Sequence, residues 1–183
     1  MSRFIAFLRA INVGGGRTVK MESLRQVFES LGFSGVATFI ASGNVVFEKT
    51  AKNTRTLERK IEKRLREALG FEVATFIRTD AELAEVANYK PFRQSESDAD
   101  ADFNIVFLAD RLDEKIKQKV RALRTDTDDS RVRGRELYWR RPKKQSGATF
   151  STVPLEKTLG RPFTIRGAKT VKKLAVKYGP GKS

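Results

Sequence analysis

The apolar run Phe4-Ile5-Ala6-Phe7-Leu8 stops at Arg9, and Gly14, Gly15 and Gly16 follow in succession before Met21, Leu24, Phe28 and Leu31 take up helical spacing. A strand that passes through three glycines into a helix fixes the start of the fold. Glycine allows the backbone to take positive φ and to come close to whatever lies beside it. The next helix aims its unbonded N–H groups and positive dipole end at the same place. Arg9, Arg17 and Lys20 frame the junction. No Gly-Lys-Ser/Thr closes it, so it is not a Walker loop. Two readings stay open at this point, an anion pocket and a structural turn that needs glycine.

The periodicities that follow extend the pattern. Residues 3–9 read as a strand with apolar residues on both faces, as a central strand has. A helix over 21–31 stops at Gly32. Strands over 36–41 and 45–49 form a hairpin about Ser42-Gly43-Asn44, since Gly and Asn tolerate left-handed backbone. Asn53 or Thr54 caps a helix whose Leu57, Ile61, Leu65 and Leu69 recur every four residues, Gly70 ends it, and residues 72–78 are a strand. The order β-α-β-β-α-β is the split βαβ arrangement of a ferredoxin-like fold. Thr79 and Asp80 cap a short helix to Ala87.

The second half repeats the order incompletely. A strand over 103–109 precedes a helix carrying Leu112, Ile116, Val120 and Leu123, then a hairpin turning at Gly134. Pro154 opens a short helix. The last helix spans 164–177, with Thr164 as its cap, and no clear closing strand precedes it. The expected fold class is therefore α+β, a ferredoxin-like first half followed by a related β-α-β-β-α half. The expected domains are 1–89 and 103–183, joined by a polar linker at 90–102.

Strands one and two of such a sheet run the same way with strand three between them. The exit of strand one and the bend after strand two then share an edge. Arg9, Asn12, Gly14, Gly15, Gly16, Lys20, Ser42, Gly43 and Asn44 are the candidate anion-binding residues, a donor-rich set suited to phosphate or carboxylate. The alternative is that Asn12 and Asn44 tie the two bends together by side-chain to backbone bonds. Arg166 and Thr170, one turn apart in the expected last helix, form a second candidate cluster. An Arg in a first turn opposes the helix dipole unless an anion lies nearby.

Composition removes several chemistries. The chain of 183 residues has no Cys and no His, so it lacks disulfides, thiolate chemistry and the commonest base and metal ligand. No acidic loop has the spacing of an all-oxygen metal site, and the sequence leaves any cofactor unknown. No apolar run reaches membrane-spanning length, and Met1-Ser2-Arg3 leads directly into a strand, so the expected location is the cytoplasm, with no membrane partner. The net charge of +15 is uneven. From residue 131 onward 15 basic residues face 2 acidic ones, leaving 22 and 20 for the first 130. A basic C-terminal half makes nucleic acid or another polyanion the alternative partner, with Tyr138, Trp139, Arg140, Arg141, Lys143 and Lys144 as the contact candidates. A structural or interaction protein without a ligand is the third reading. No nucleophile and base pair can be named, so no catalytic residue is assigned.

Phe7-Leu8-Arg9-Ala10-Ile11-Asn12-Val13-Gly14-Gly15, Lys20-Met21, Leu31-Gly32-Phe33 and Ser42-Gly43-Asn44-Val45-Val46-Phe47 together resemble the signature of the bacterial family catalogued as domain of unknown function 1697. Leu155-Glu156-Lys157, Thr164-Ile165-Arg166 and Lys169-Thr170-Val171 continue the resemblance over nearly the whole chain. It implies a two-part α+β protein and no established activity. The family's C-terminal motif reads Thr-x-Arg-Asn-Trp-x-Thr, and Gly167 and Ala168 stand here in place of its Asn and Trp.

Overall fold

The computed structural model describes residues 1–12, 18–93, 101–126, 128–143 and 152–181. The chain divides into one unit of Met1–Ala87 with Lys172–Ser183 and a second of Asn88–Val171.

The first unit runs β1 (Ser2–Leu8), α1 (Met21–Ser30), β2 (Ser34–Thr38), β3 (Asn44–Lys49), α2 (Thr54–Leu69), β4 (Thr75–Thr79) and α3 (Asp80–Asn88). The sheet order is β2-β3-β1-β4 with every neighbouring pair antiparallel, the ferredoxin-like order that β-α-β-β-α-β predicts. Phe4, Ala6 and Leu8 of β1 and Val45 and Phe47 of β3 meet Leu24 and Phe28 of α1 and Leu57, Ile61 and Leu65 of α2. Phe47 is the hub, with Phe33 stacked on it at 4.6 Å and Phe28 and Phe4 at 5.4 and 5.5 Å. Ring pairs at these separations add to the area they bury.

Local chemistry sets the ends. Asn53 accepts from the N–H groups of Arg55 and Thr56 to start α2, and Gly70, with φ of 78°, ends it in the left-handed conformation a C-cap requires. Strand β4 lies at the sheet edge, and its outward N–H groups are taken by carboxylates. Thr75 donates to Glu62, Ile77 to Glu58 and Thr79 to Glu82, each at 2.9 Å. Glu82 N–H returns a bond to Thr79 Oγ1 at 3.1 Å, which makes Thr79 and Glu82 a capping box. Strand β4 passes into α3 with no residue between them.

The second unit runs β5 (Ala101–Phe107), α4 (Glu114–Arg121), β6 (Asp129–Arg133), β7 (Glu136–Pro142), α5 (Val153–Leu159) and β8 (Thr164–Gly167), and the chain then enters α6 (Ala168–Tyr178), whose residues from Lys172 on belong to the first unit. The sheet order β6-β7-β5-β8 repeats that of the first unit. The second half therefore has the closing strand that its sequence does not advertise. Residues 164–167, expected to open the last helix, pair with β5 instead, and α6 starts at Ala168. The register repeats as well. Ile5 faces Arg78, Ile105 faces Arg166, and each buried arginine donates Nη1 to the preceding isoleucine carbonyl at 2.8 Å. Val106, Leu108, Val120, Leu137, Leu155 and Leu159 form the core here.

Burial is the largest influence on Glu62 and raises its pKa above the ordinary 4.5, against the lowering effect of the Thr75 N–H bond. A carboxyl raised by folding contributes its stability fully below its unfolded pKa and loses it as pH climbs through the folded one. Glu62→Gln keeps an acceptor for Thr75 and has no charge to desolvate. Its urea stability at pH 7 is expected to match or exceed the parent's, and its stability should fall less than the parent's as pH rises from 4.5. Glu58→Ala, which strands a buried N–H of Ile77, should cost about 2 kcal/mol or more in the same assay.

Candidate functional site

Because β1 and β2 point the same way, the exit of β1 and the β2–β3 bend lie at one edge of the first sheet. Leu8 N–H donates to Gly43 O at 2.8 Å and locks the two bends together. Gly43 has φ of 70°, and a Cβ there would come within 2.9 Å of Ile11 Cβ and 3.1 Å of Leu8 Cβ. Glycine is needed for its conformation and for its lack of bulk.

Asn12 is the second tie. Its Oδ1 accepts from Val19 N–H at 2.7 Å, and its Nδ2 donates to Val19 O at 3.0 Å and to Ala41 O at 3.1 Å. The side chain thus draws together the two ends of the segment 13–18 and staples them to the second bend. Asn44, fully buried, donates to Phe39 O and Ser42 Oγ, both at 3.0 Å. The bridging role considered for the two asparagines is filled by Asn12, whereas these bonds of Asn44 close the second bend on itself.

The remaining candidates are distributed around this frame. Arg9 is half-buried and its N–H donates to Ala74 O at 2.9 Å. Lys20 is exposed at the N-cap of α1 and makes no side-chain capping bond. Helices α2, α3 and α4, by contrast, begin on capping bonds from Asn53, Thr79 and Asp113. Gly14, Gly15 and Gly16 lie outside the described residues.

Sequence reasoning missed the backbone strain. Among the described residues, the non-glycine residues with positive φ are Ala10 at 56°, Asn12 at 55° and Ile40 at 52°. All three lie in the two bends that meet. Asn12 was a readable signal because Asn tolerates this region. Nothing about Ala10 or Ile40 gives it away, and left-handed backbone is least expected of a β-branched residue such as Ile40, which is 55% exposed.

The second candidate cluster is corrected. Arg166 lies in strand β8, not in a helical first turn, and donates to Thr164 Oγ1 at 2.8 Å. Thr170 lies in α6, in a different element. Helix geometry does not place them on one face, and no dipole cost arises at Arg166. Burial lowers its pKa to about 10, which leaves it charged at neutral pH. The aromatic candidates of the basic half are also engaged. Tyr138 is 4% exposed and packs on Tyr89 at 4.8 Å. The Trp139 indole N–H donates to Asp128, and the Arg141 guanidinium lies 4.5 Å from its ring. Lys144 is outside the described residues.

Among the described residues no group of acidic side chains could hold a metal ion, and no helix is long and apolar enough to cross a membrane. Comparison with known proteins adds the family. A family model described as "Protein of unknown function (DUF1697)" matches residues 1–138. The chain belongs to the DUF1697 family. Both bends fall inside the matched span, whereas the C-terminal motifs lie beyond it. The fold of this DUF1697 chain is similar to that of the conserved bacterial protein SP0830 from Streptococcus pneumoniae, with a TM-score of 0.71 and 24% identity over 96% of this chain and 97% of that one. No functionally curated protein matches it.

Two substitutions test the ties. Gly43→Ala should destabilise by about 2–4 kcal/mol through strain and overlap. Asn12→Ala should cost about 2–3 kcal/mol for its lost bonds. Denaturant titration checks both.

Proposed function

We propose that the joined bends of the first unit bind a small phosphate- or carboxylate-bearing molecule. Arg9, Lys20 and the backbone amides of Gly14, Gly15 and Gly16 make the contacts. Asn12, Ser42, Gly43 and Asn44 hold the frame. The observation that carries this reading is the gathering of left-handed Ala10, Asn12 and Ile40 into one rim. Such conformations cost about 1–3 kcal/mol each and persist where a fixed geometry serves a clamp or a site. The start of α1 at Lys20, which makes no side-chain capping bond, supports it further, since the N–H groups of a helix's first turn favour an anion.

Thermal-shift titration with inorganic phosphate, nucleoside monophosphates, sugar phosphates and small dicarboxylates tests this, with a short RNA in parallel. A ligand present at 100 times its Kd adds about 2.7 kcal/mol to stability. That corresponds to a rise of roughly 5–10 °C for a chain of this size. The expected result is such a shift from at least one small anion, lost in Lys20→Ala and Arg9→Ala. No shift, or a shift that both variants retain, overturns the proposal. Steeply salt-dependent stabilisation by RNA alone would favour the basic half instead.

A further inference from the structure

The shared register of the two units fixes which N–H groups of each edge strand point away from the sheet. In the first unit Ala6 lies opposite Ile77 and Phe4 opposite Thr79, and Ile77 and Thr79 donate outward to Glu58 and Glu82. In the second, Val106 lies opposite Ile165 and Asn104 opposite Gly167. The two sheets are also in the same hydrogen-bonding phase, since Leu8 donates to Gly43 O and Leu108 to Arg135 O on the far side of each central strand. Alternate residues of an antiparallel strand bond to opposite sides. Ile165 and Gly167 of β8 therefore turn outward the N–H groups that Ile77 and Thr79 turn outward in β4.

What receives them differs. Among the described residues neither Ile165 nor Gly167 has an acceptor for its outward N–H. The flanking helices do not supply one. Helix α5 has one carboxylate, Glu156, which accepts from Thr152 Oγ1 at 2.7 Å, and α6 has none. Thr170 stands three residues after Gly167, where Glu82 stands three after Thr79. The outward carbonyl is occupied in both strands. Ile165 O accepts from Arg166 as Ile77 O accepts from Arg78, each at 2.8 Å. The β8 edge is thus a row of donors. It has room beside it, because a Cβ on Gly167 would meet nothing within 4 Å. Its surroundings are basic, with Lys157, Arg161, Arg166 and Lys169 against Glu156 alone over residues 152–171.

We propose that the β8 edge binds an acidic segment of a partner protein. Its carboxylates take the N–H groups of Ile165 and Gly167 as Glu58 and Glu82 take those of Ile77 and Thr79. Outward N–H groups two residues apart are spaced about 7 Å along a strand, and glutamates at every second position of an extended peptide match that spacing. Hydrogen bonds to a carboxylate are roughly twice as strong as neutral ones, and the cations around the edge complement the charge. This edge is separate from the anion site proposed above and does not rest on it.

The probe is a capped peptide of alternating threonine and glutamate, titrated at low salt into the isotope-labelled full chain while amide resonances are followed. The expected result is a saturable shift of the Ile165 and Gly167 amides in the millimolar range or tighter. A threonine–glutamine analogue should bind about tenfold more weakly or worse. Thr170→Glu places a carboxylate of the chain's own where Glu82 stands in the first unit, and should weaken the peptide about tenfold. Val176→Glu adds the same charge at an exposed position of α6 and should change affinity by about twofold at most. If Thr170→Glu fails to fold, the amide shifts and the glutamine analogue decide on the parent protein. Shifts that spare Ile165 and Gly167, equal binding of the glutamine analogue, or equal loss in the two folded glutamate variants overturns the proposal. Movement of the same two amides on raising protein concentration alone would give the edge to a second copy of the chain and overturn it too. So would the same shifts from a short RNA and none from the peptide.

Discussion

Three carboxylates finish the first sheet where a further strand would otherwise be needed. Strand β4 has β1 on one side only, and its outward N–H groups would be open to pairing with another chain. Glu58 and Glu62, one helical turn apart on α2, and Glu82 on α3 take those N–H groups in turn. This ties both helices to the strand and leaves β4 no free donors among these three. The arrangement also has a cost. Glu58 is fully buried, and a carboxylate without water must be held by good partners. Ile77 N–H and Arg55 supply them at 2.9 Å each. The edge, the helix over it and the ion pair are therefore one interaction, and the position of β1 beside β4 depends on it.

The shared register of the two units separates scaffold from variable filling. Leu8 N–H bonds Gly43 O in one unit, and Leu108 N–H bonds Arg135 O in the other at 2.9 Å. The backbone solution at the exit of the first strand is the same. The side chains diverge on the helix-facing row, where the pair Phe4 and Phe47 gives way to Asn104 and Trp139. They also diverge in the bends. The first unit spends glycine, asparagine and three left-handed residues there, while the hairpin of the second turns on Gly134.

Much of this was legible in the chain itself. Asn53, Gly70, Gly134 and Pro154 mark ends because each residue type has a local reason to be there. Leu57, Ile61 and Leu65 give the helix face directly. Strand β8 was not legible, since Thr164-Ile165-Arg166-Gly167 is too short to show alternation and runs straight into helical spacing. Thr164 resembles a helix cap when only its neighbours are read, and pairing with β5, some sixty residues away, decides otherwise. The rim was legible through Gly43 and Asn12. Ile40 was not, because its strain is imposed by Asn12 and Asn44 holding the carbonyls on either side of it.

The direct passage of β4 into α3, repeated where Gly167 of β8 meets Ala168 of α6, has a consequence for how the chain can change length. A helix advances by about 100° for each residue. One residue added at either weld would swing the following helix through more than a quarter of a circle and carry Leu83 and Val86, or Val171 and Leu174, out of their buried positions. At the two welds, the angular phase of the helix is inherited from the strand.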